Sequence, residues 1–442
     1  MEINGQLINP DYDRGIYISR FGDDGDLLDT LTIAGVADES KGGASSARNT
    51  FVKDDEGNFY FYASFRGEVQ LLDTLIQKPP DSNYGVIAKM DQNFNLTWLE
   101  TIPAEHGFVA GWLEVDESGD VLFSGSYQGE ADLQGTKLPH YSDYRPDIQN
   151  FIFGKLTAEG IKKWVIHAGD LLGTHAEKFV LDKNGNAYIS GESGTPIDFG
   201  NEIKLDHPGG GDKSFILKVN NDGNPIWIQP FLNNAKSENY DIEWLQQDSI
   251  LGVAGSFNES LQIGEEQWEV EPDGENVLNG YFALLNPAGD LLEKHQFKGD
   301  FSFISNILTF ENSDEIWLNG VYGDKVNFLG QNAEGGDGEF IMKTCLDKFF
   351  ASINSLTGPA HFDNEINIYP NPASTQINVD IDKAFQGEST VKLRNLAGQV
   401  IRKKNYLQNE NISLNVGDLN PGTYIIEVLN ESGYSTKKMI IK

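Results

Sequence analysis

One phrase recurs along this chain: a short strand, a turn built on glycine, an aromatic strand and a closing small residue. It runs Asp54-Asp55-Glu56-Gly57-Asn58-Phe59-Tyr60-Phe61-Tyr62-Ala63-Ser64, and it returns from Asp116 to Gly125 and from Asp182 to Gly191. Weaker copies span Asp248 to Gly255 and Asn312 to Gly320. The residues that close the second strand, Ala63, Gly125, Gly191, Gly255 and Gly320, are spaced by 62, 66, 64 and 65 residues. Independent loops do not keep such a period, so one structural unit is repeated.

A second phrase keeps the same beat half a unit later. It reads Ile87-Ala88-Lys89-Met90, Ile152-Phe153-Gly154-Lys155, Ile216-Leu217-Lys218-Val219, Phe282-Ala283-Leu284-Leu285 and Ile341-Met342-Lys343. A turn and another strand follow most copies and carry Trp98, Trp164 or Trp227. Each unit therefore holds four short strands. Four-stranded units with an aromatic in a fixed slot suit the blades of a β-propeller, which bury both faces against their neighbours. The tryptophans are expected as plugs between blades.

The second phrase occurs a sixth time, as Ile16-Tyr17-Ile18-Ser19-Arg20-Phe21, ahead of the first full unit. The reading is an all-β chain with about six blades over residues 1–355, the first one incomplete at the N-terminus. Either sequence upstream of Met1 or strands exchanged from the C-terminal end would complete it. Leu346 to Phe350 is expected as the last outer strand, and residues 356–365 as a linker. The composition agrees: 47 glycines with 26 Phe, 16 Tyr and 7 Trp favour many short strands over long helices.

Charge divides the chain at the same place. From His361 to Lys442 nine acidic residues balance nine basic ones, whereas the upstream part carries 58 acidic against 24 basic and holds the whole net charge of −34. Such a surface repels nucleic-acid phosphates and anionic lipid heads. The single cysteine, Cys345, allows no intrachain disulfide, and no apolar run is long enough for a transmembrane helix.

Residues 366–442 read as a separate small antiparallel β-sandwich. Apolar–polar alternation is clear in Ile377 to Ile381, Val391 to Leu396, Ile412 to Val416 and Tyr424 to Leu429, with turns at Ala397-Gly398-Gln399, Asn420-Pro421-Gly422 and Glu431-Ser432-Gly433. Its motifs are Tyr369-Pro370-Asn371-Pro372-Ala373, Leu396-Ala397-Gly398-Gln399-Val400, Leu419-Asn420-Pro421-Gly422-Thr423-Tyr424 and the terminal Lys437-Lys438-Met439-Ile440-Ile441-Lys442. In these motifs the tail resembles the C-terminal sorting domain of type IX secretion substrates, a family of the Bacteroidota.

That resemblance implies a partner, the type IX secretion machinery, and a route through the periplasm to the outer-membrane surface or the medium. It also implies an N-terminal export signal, which Met1-Glu2-Ile3-Asn4-Gly5 does not provide. The upstream unit is similar to bacterial β-propeller repeats with an Asp-Gly-Asn turn, an aromatic-x-Ser-Gly strand and a following Phe-Gly. Asp182 to Gly191 with Asp198-Phe199-Gly200 is the nearest copy. This second resemblance implies architecture and an extracellular setting, and no particular chemistry.

Catalytic patterns are scarce. The seven histidines follow no ligand or triad spacing and read as exposed loop residues, and Cys345 reads as an inert buried thiol. No cofactor is expected. Asp182-x-Asn184-x-Asn186 and Asp116-x-Ser118-x-Asp120 space their oxygens as calcium loops do, and equally as tight turns do. Tyr141, Tyr144, Arg145 and His207 sit on inserts in one slot of adjacent units and are the expected ligand contacts. The functional expectation is a non-catalytic glycan- or protein-binding module. The alternatives are a hydrolase of extracellular polymer and a structural surface protein without a discrete ligand.

Overall fold

The computed structural model describes residues 2–3, 6–7, 14–22, 24–36, 42–44, 50–79, 81–142, 145–206, 212–232, 237–246, 249–264, 266–269, 278–310, 315–328, 331–334, 338–345, 360–361, 366–381, 389–395, 400–406, 412–417, 419–429 and 433–442. Every regular element among them is a β-strand. The all-β reading holds.

Six antiparallel sheets follow one another, and the third shows their plan. Gly107–Val115, Val121–Gln128, Gln149–Leu156 and Lys162–Ala168 lie side by side in chain order. The fourth sheet repeats this with Thr174–Leu181, Ala187–Ser193, Lys213–Val219 and Pro225–Leu232. The second has an interrupted first strand, Gly42–Ala44 and Thr50–Lys53, then Phe59–Gly67, Asn83–Met90 and Leu96–Ala104. The fifth has Ser237–Gln246, Ile250–Asn258, Leu278–Leu285 and the start of the long strand Leu291–Thr309. That strand continues as the first of the sixth sheet, before Glu315–Phe328 and Gly338–Cys345. Among the described residues the first sheet supplies only the third and fourth positions, Arg14–Phe21 and Leu27–Val36. Arg20 is in register with Asp29 as Lys89 is with Trp98.

The five landmark residues fall at equivalent places, each on a second strand. The structure gives the reason for glycine there. The facing first strands bulge between Ala110 and Leu113, Ala176 and Phe179, Asn239 and Asp241, and Ile304 and Asn306. Each bulge pushes a carbonyl at its glycine. A Cβ on Gly125, Gly191, Gly255 or Gly320 would lie 2.5, 2.7, 2.0 or 2.1 Å from the carbonyl oxygen of Val109, His175, Glu238 or Phe303. A bulge conserved through the repeat therefore dictates the period of its small residues.

The sheets pack in series. Tyr60, Tyr62 and Ile87 of the second sheet meet Phe108, Leu113 and Phe123 of the third. Phe151 and Phe153 of the third meet Phe179, Ile189 and Phe215 of the fourth. Each such side chain contributes about 1.5–3 kcal/mol on burial. A hairpin between second and third strands adds a stitch that the sequence reading missed. Its first strand pairs with the fourth strand of the sheet before, through Leu71 to Ala34, Ala131 to Ala104 and Ile263 to Phe231. Among the described residues no strand pairing joins the first sheet to the sixth.

The fourth-strand tryptophans do lie between sheets, but half-buried on a turn instead of deep in the core. Trp98 Nε1 donates to the Ala158 carbonyl (2.9 Å) and Trp164 Nε1 to that of Asn221 (3.1 Å). Their rings cover Gly160 and Gly223, where a Cβ would come within 2.9 and 2.7 Å of the indole.

The tail packs two sheets over one core. Ile366–Tyr369, Gln376–Ile381 and Ile412–Asn415 form one, and Ser389–Asn395, Val400–Tyr406, Gly422–Leu429 and Gly433–Ile441 the other. Ile368, Ile377, Val391, Leu393, Ile426 and Met439 fill the space between them. Ala360–His361, within the expected linker, pairs in parallel with Gly433 and Tyr434. The expected outer strand from Leu346 to Phe350 lies outside the described residues.

Candidate functional site

The bulges also place side chains. The second residue of each bulge is Trp112, Lys178, Asp241 or Asn306 in successive sheets, and Thr50 of the second sheet holds the matching register position opposite Tyr62, one slot with five chemistries. These residues link neighbouring first strands. Thr50 Oγ1 donates to the Gly111 carbonyl (3.2 Å). Lys178 Nζ lies 5.2 Å from the centre of the Trp112 ring and 2.8 Å from Asp241 Oδ1. Asp241 Oδ2 accepts the backbone N–H of Ile307 (2.7 Å).

Beside this row opens a cleft of about 770 Å³, within the size range of small-ligand sites. Trp112 and Glu114 of the third sheet, Lys178 of the fourth and Glu243 and Trp244 of the fifth line it, together with the turns at Asp116 and Asp182. Trp112 Nε1 donates to Glu114 Oε1 (2.7 Å), and Trp244 Nε1 to the Leu181 carbonyl (2.8 Å). Burial pushes the Glu114 carboxyl above its usual range, and Glu243 adds to this although the Trp112 hydrogen bond and Lys178 oppose it. Burial would lower Lys178, but Asp241 and Glu243 (3.0 Å) outweigh it and hold the ammonium charged. The cleft thus combines indole surface, carboxylates and one fixed ammonium.

The expected calcium ligands divide between cleft wall and turn. Asp182 Oδ1 accepts the backbone N–H groups of Asn184 (2.9 Å) and Asn186 (3.0 Å), and Oδ2 accepts Asn186 Nδ2 (2.8 Å). Asp116 and Asp120 face an ammonium of the chain itself: Lys155 Nζ stands 2.7 Å from Asp116 Oδ2 and 3.4 Å from Asp120 Oδ2. Burial would raise the Asp116 carboxyl, but hydrogen bonds from Lys155 and Ser118 hold it below its usual range. Among the described residues no group of three or more His, Cys, Asp and Glu is placed to hold a metal ion.

Of the expected ligand contacts, Tyr141 and Arg145 lie at the other end of the strands, because second-to-third connections oppose first-to-second turns in an antiparallel meander. Tyr141 is half-buried, its hydroxyl 2.6 Å from His167 Nδ1 and its ring against Gly169. Arg145 is exposed and pairs with Asp147 (3.1 Å). Tyr144 and His207 lie outside the described residues. The structure therefore places Tyr141 and Arg145 away from the cleft. The histidines also depart from the loop reading: His167, His175 and His295 are on strands, and His295 is buried. Cys345 ends its strand half-buried.

In the tail, the motif around Asn371 clasps the terminal strand. Asn371 Oδ1 accepts the Ile440 N–H (2.9 Å), the Ala373 N–H reaches the Ile440 carbonyl (2.8 Å), and the Lys442 N–H reaches the Ala373 carbonyl (2.8 Å). Pro370 and Pro372 flank Asn371 and are exposed. Tyr369 Oη donates to Asp380 (3.0 Å), and Tyr424 Oη, just after Pro421 and Gly422, donates to the Asn420 carbonyl (2.9 Å). Lys437 Nζ donates to the Ile366 carbonyl (2.9 Å). Lys438 pairs with Ile425 along the terminal strand, and Gly398 lies outside the described residues.

No curated protein matches the chain. Among solved structures, a Synechocystis apocarotenoid oxygenase variant is 8% identical over 91% of this chain and 95% of its own, with a TM-score of 0.25. Domains 4–9 of the surface layer protein SbsC are 8% identical over 98% of this chain and 80% of theirs, with a TM-score of 0.15. Likeness at this level establishes no shared fold. Among the described residues no helix is long and apolar enough to cross a membrane. The tail, in contrast, matches the model of the secretion system C-terminal sorting domain over residues 367–442. Those residues are a type IX secretion sorting domain, and the chain that carries them is exported to the cell surface or the extracellular space.

Proposed function

We propose that residues 1–355 form a six-bladed β-propeller that binds glycan in the cleft between Trp112 and Trp244. In this reading the tail carries the module from the periplasm across the outer membrane. The row from Thr50 to Ile307 supports the ring, since first strands linked one to the next at a fixed height are what an axis at the centre requires. The cleft carries the functional reading. A sugar offers a C–H face to indole and hydroxyls to carboxylates and amides, and this site holds both kinds of group side by side. A purely structural module would fill that place with apolar side chains. The net charge of −34 disfavours polyanionic glycans and leaves neutral or amino-bearing ones.

A glycan array on the secreted protein, followed by calorimetry on each hit, tests this. Saturable binding lost in Trp112→Ala and Trp244→Ala supports it, and hits that both variants retain overturn it. One observation favours a hydrolase instead: Glu114, its carboxyl pushed upward by burial, lines the same cleft as Glu243 and gives it a pair of carboxyl groups. Product release from a bound polymer, abolished in Glu114→Gln, would move the assignment there.

A further inference from the structure

Among the described residues, surfaces that are covered within the row of sheets stand open at both its ends. In the full sheets the third strand pairs with a second strand along one edge, as Asn83–Met90 does with Phe59–Gly67 and Lys213–Val219 does with Ala187–Ser193. Arg14–Phe21 occupies the third position of the first sheet and, among the described residues, pairs only with Leu27–Val36. The sixth sheet is open on its face. Ile87, Phe153, Ile216 and Phe282 hold one register position, and each is fully buried by the sheet that follows. Their counterpart Ile341 is 72% exposed, and Leu308 and Phe310, at the end of the same sheet's first strand, are 54% and 50% exposed.

We propose that these two surfaces form one docking site for an antiparallel β-hairpin with the chemistry of this protein's own first and second strands. One such hairpin satisfies both. Its second strand would pair with the edge of Arg14–Phe21 while its face covers Ile341, Leu308 and Phe310, and this would join the sixth sheet to the first. The argument is continuity. The same sheet-on-sheet contact recurs between the second and third, third and fourth, fourth and fifth, and fifth and sixth sheets. The small residue opposite the bulge and the large apolar residues around it define the partner. The proposal does not depend on what the cleft binds.

Peptides spanning residues 107–128, 174–193 and 237–258, each a first and second strand with their turn, are the probes. Hydrogen exchange is followed on the full chain at residues 14–21 and 338–345. At least one peptide is expected to slow both regions together, about 100-fold at about 100 times its Kd, as mass action requires when amides open only from the free site. Ile341→Asp should abolish this protection while leaving the melting of the chain alone unchanged. Ile216→Asp, at the covered position, should destabilise the chain. To guard against a peptide that does not fold, the same hairpins are also fused through a flexible linker to the N-terminus. Protection of one region only, or of neither in both formats, overturns the proposal. Protection that needs no hairpin and rises with a doubled mass assigns the surfaces to a second copy and overturns it equally.

Discussion

Lys178 on the first strand of the fourth sheet donates to Asp241 on the first strand of the fifth, 63 residues away in the chain and 2.8 Å away in space. Asp241 is almost fully buried and also accepts the Ile307 N–H from the sixth sheet, so one carboxylate ties three consecutive sheets. Removing the lysine leaves that carboxylate buried without its main counter-charge. Lys178→Met is expected to cost about 3–5 kcal/mol in urea unfolding, the usual cost of breaking a buried pair on one side. A cost within about 0.5 kcal/mol, typical of a surface change, would show that the row does not hold the sheets together.

Gly255→Ala places a methyl group 2.0 Å from the Glu238 carbonyl oxygen, closer than any relaxed contact. The bulge must move, and a loss of about 1–3 kcal/mol is expected by thermal unfolding. Ala63 carries a Cβ in the equivalent slot and is fully buried in the core between the first and second sheets. Ala63→Gly should therefore cost about 1–2 kcal/mol, through lost burial and the greater freedom of glycine in the unfolded chain.

Burial pushes the His295 imidazole from its ordinary 6.5 down to about 4. A base with a depressed folded pKa binds protons more readily when unfolded. The native state is thus favoured above pH 6.5, and that advantage is lost as pH falls from 6.5 through about 4, up to about 3 kcal/mol. Stability measured across this window should flatten in His295→Gln. A slope that is unchanged places the acid sensitivity elsewhere.

Asn371→Ala removes the side-chain acceptor for Ile440 and loosens the end of the terminal strand. The loss expected in the isolated tail is about 0.5–1.5 kcal/mol, as for one partly solvated hydrogen bond. Protease protection of residues 439–442 should fall with it, and unchanged protection would show that the clasp is held by the Ala373 backbone alone.

The parts of this architecture that the sequence revealed are those the backbone enforces in every unit. Gly125, Gly191, Gly255 and Gly320 mark the period because each faces a bulge carbonyl, and the turns after Asp54, Asp116 and Asp182 recur because each carboxylate caps its own turn. The cleft was hidden for the converse reason. Trp112, Lys178 and Asp241 share a slot but no residue type, so a search for likeness passes over them, and only stacking brings them together. Tyr141 stood out as an aromatic on an insert, yet its hydroxyl is engaged by His167, a partner 26 residues away that no spacing announces.

The central claim is that indoles from the third and fifth sheets form one glycan site. Titration of the secreted protein with the glycan that binds it best, read by tryptophan fluorescence, tests this most directly. A saturable change that disappears when Trp112 and Trp244 are both replaced by phenylalanine, with the fold intact by circular dichroism, is the predicted result. A change of the same size and midpoint in the double variant would contradict it.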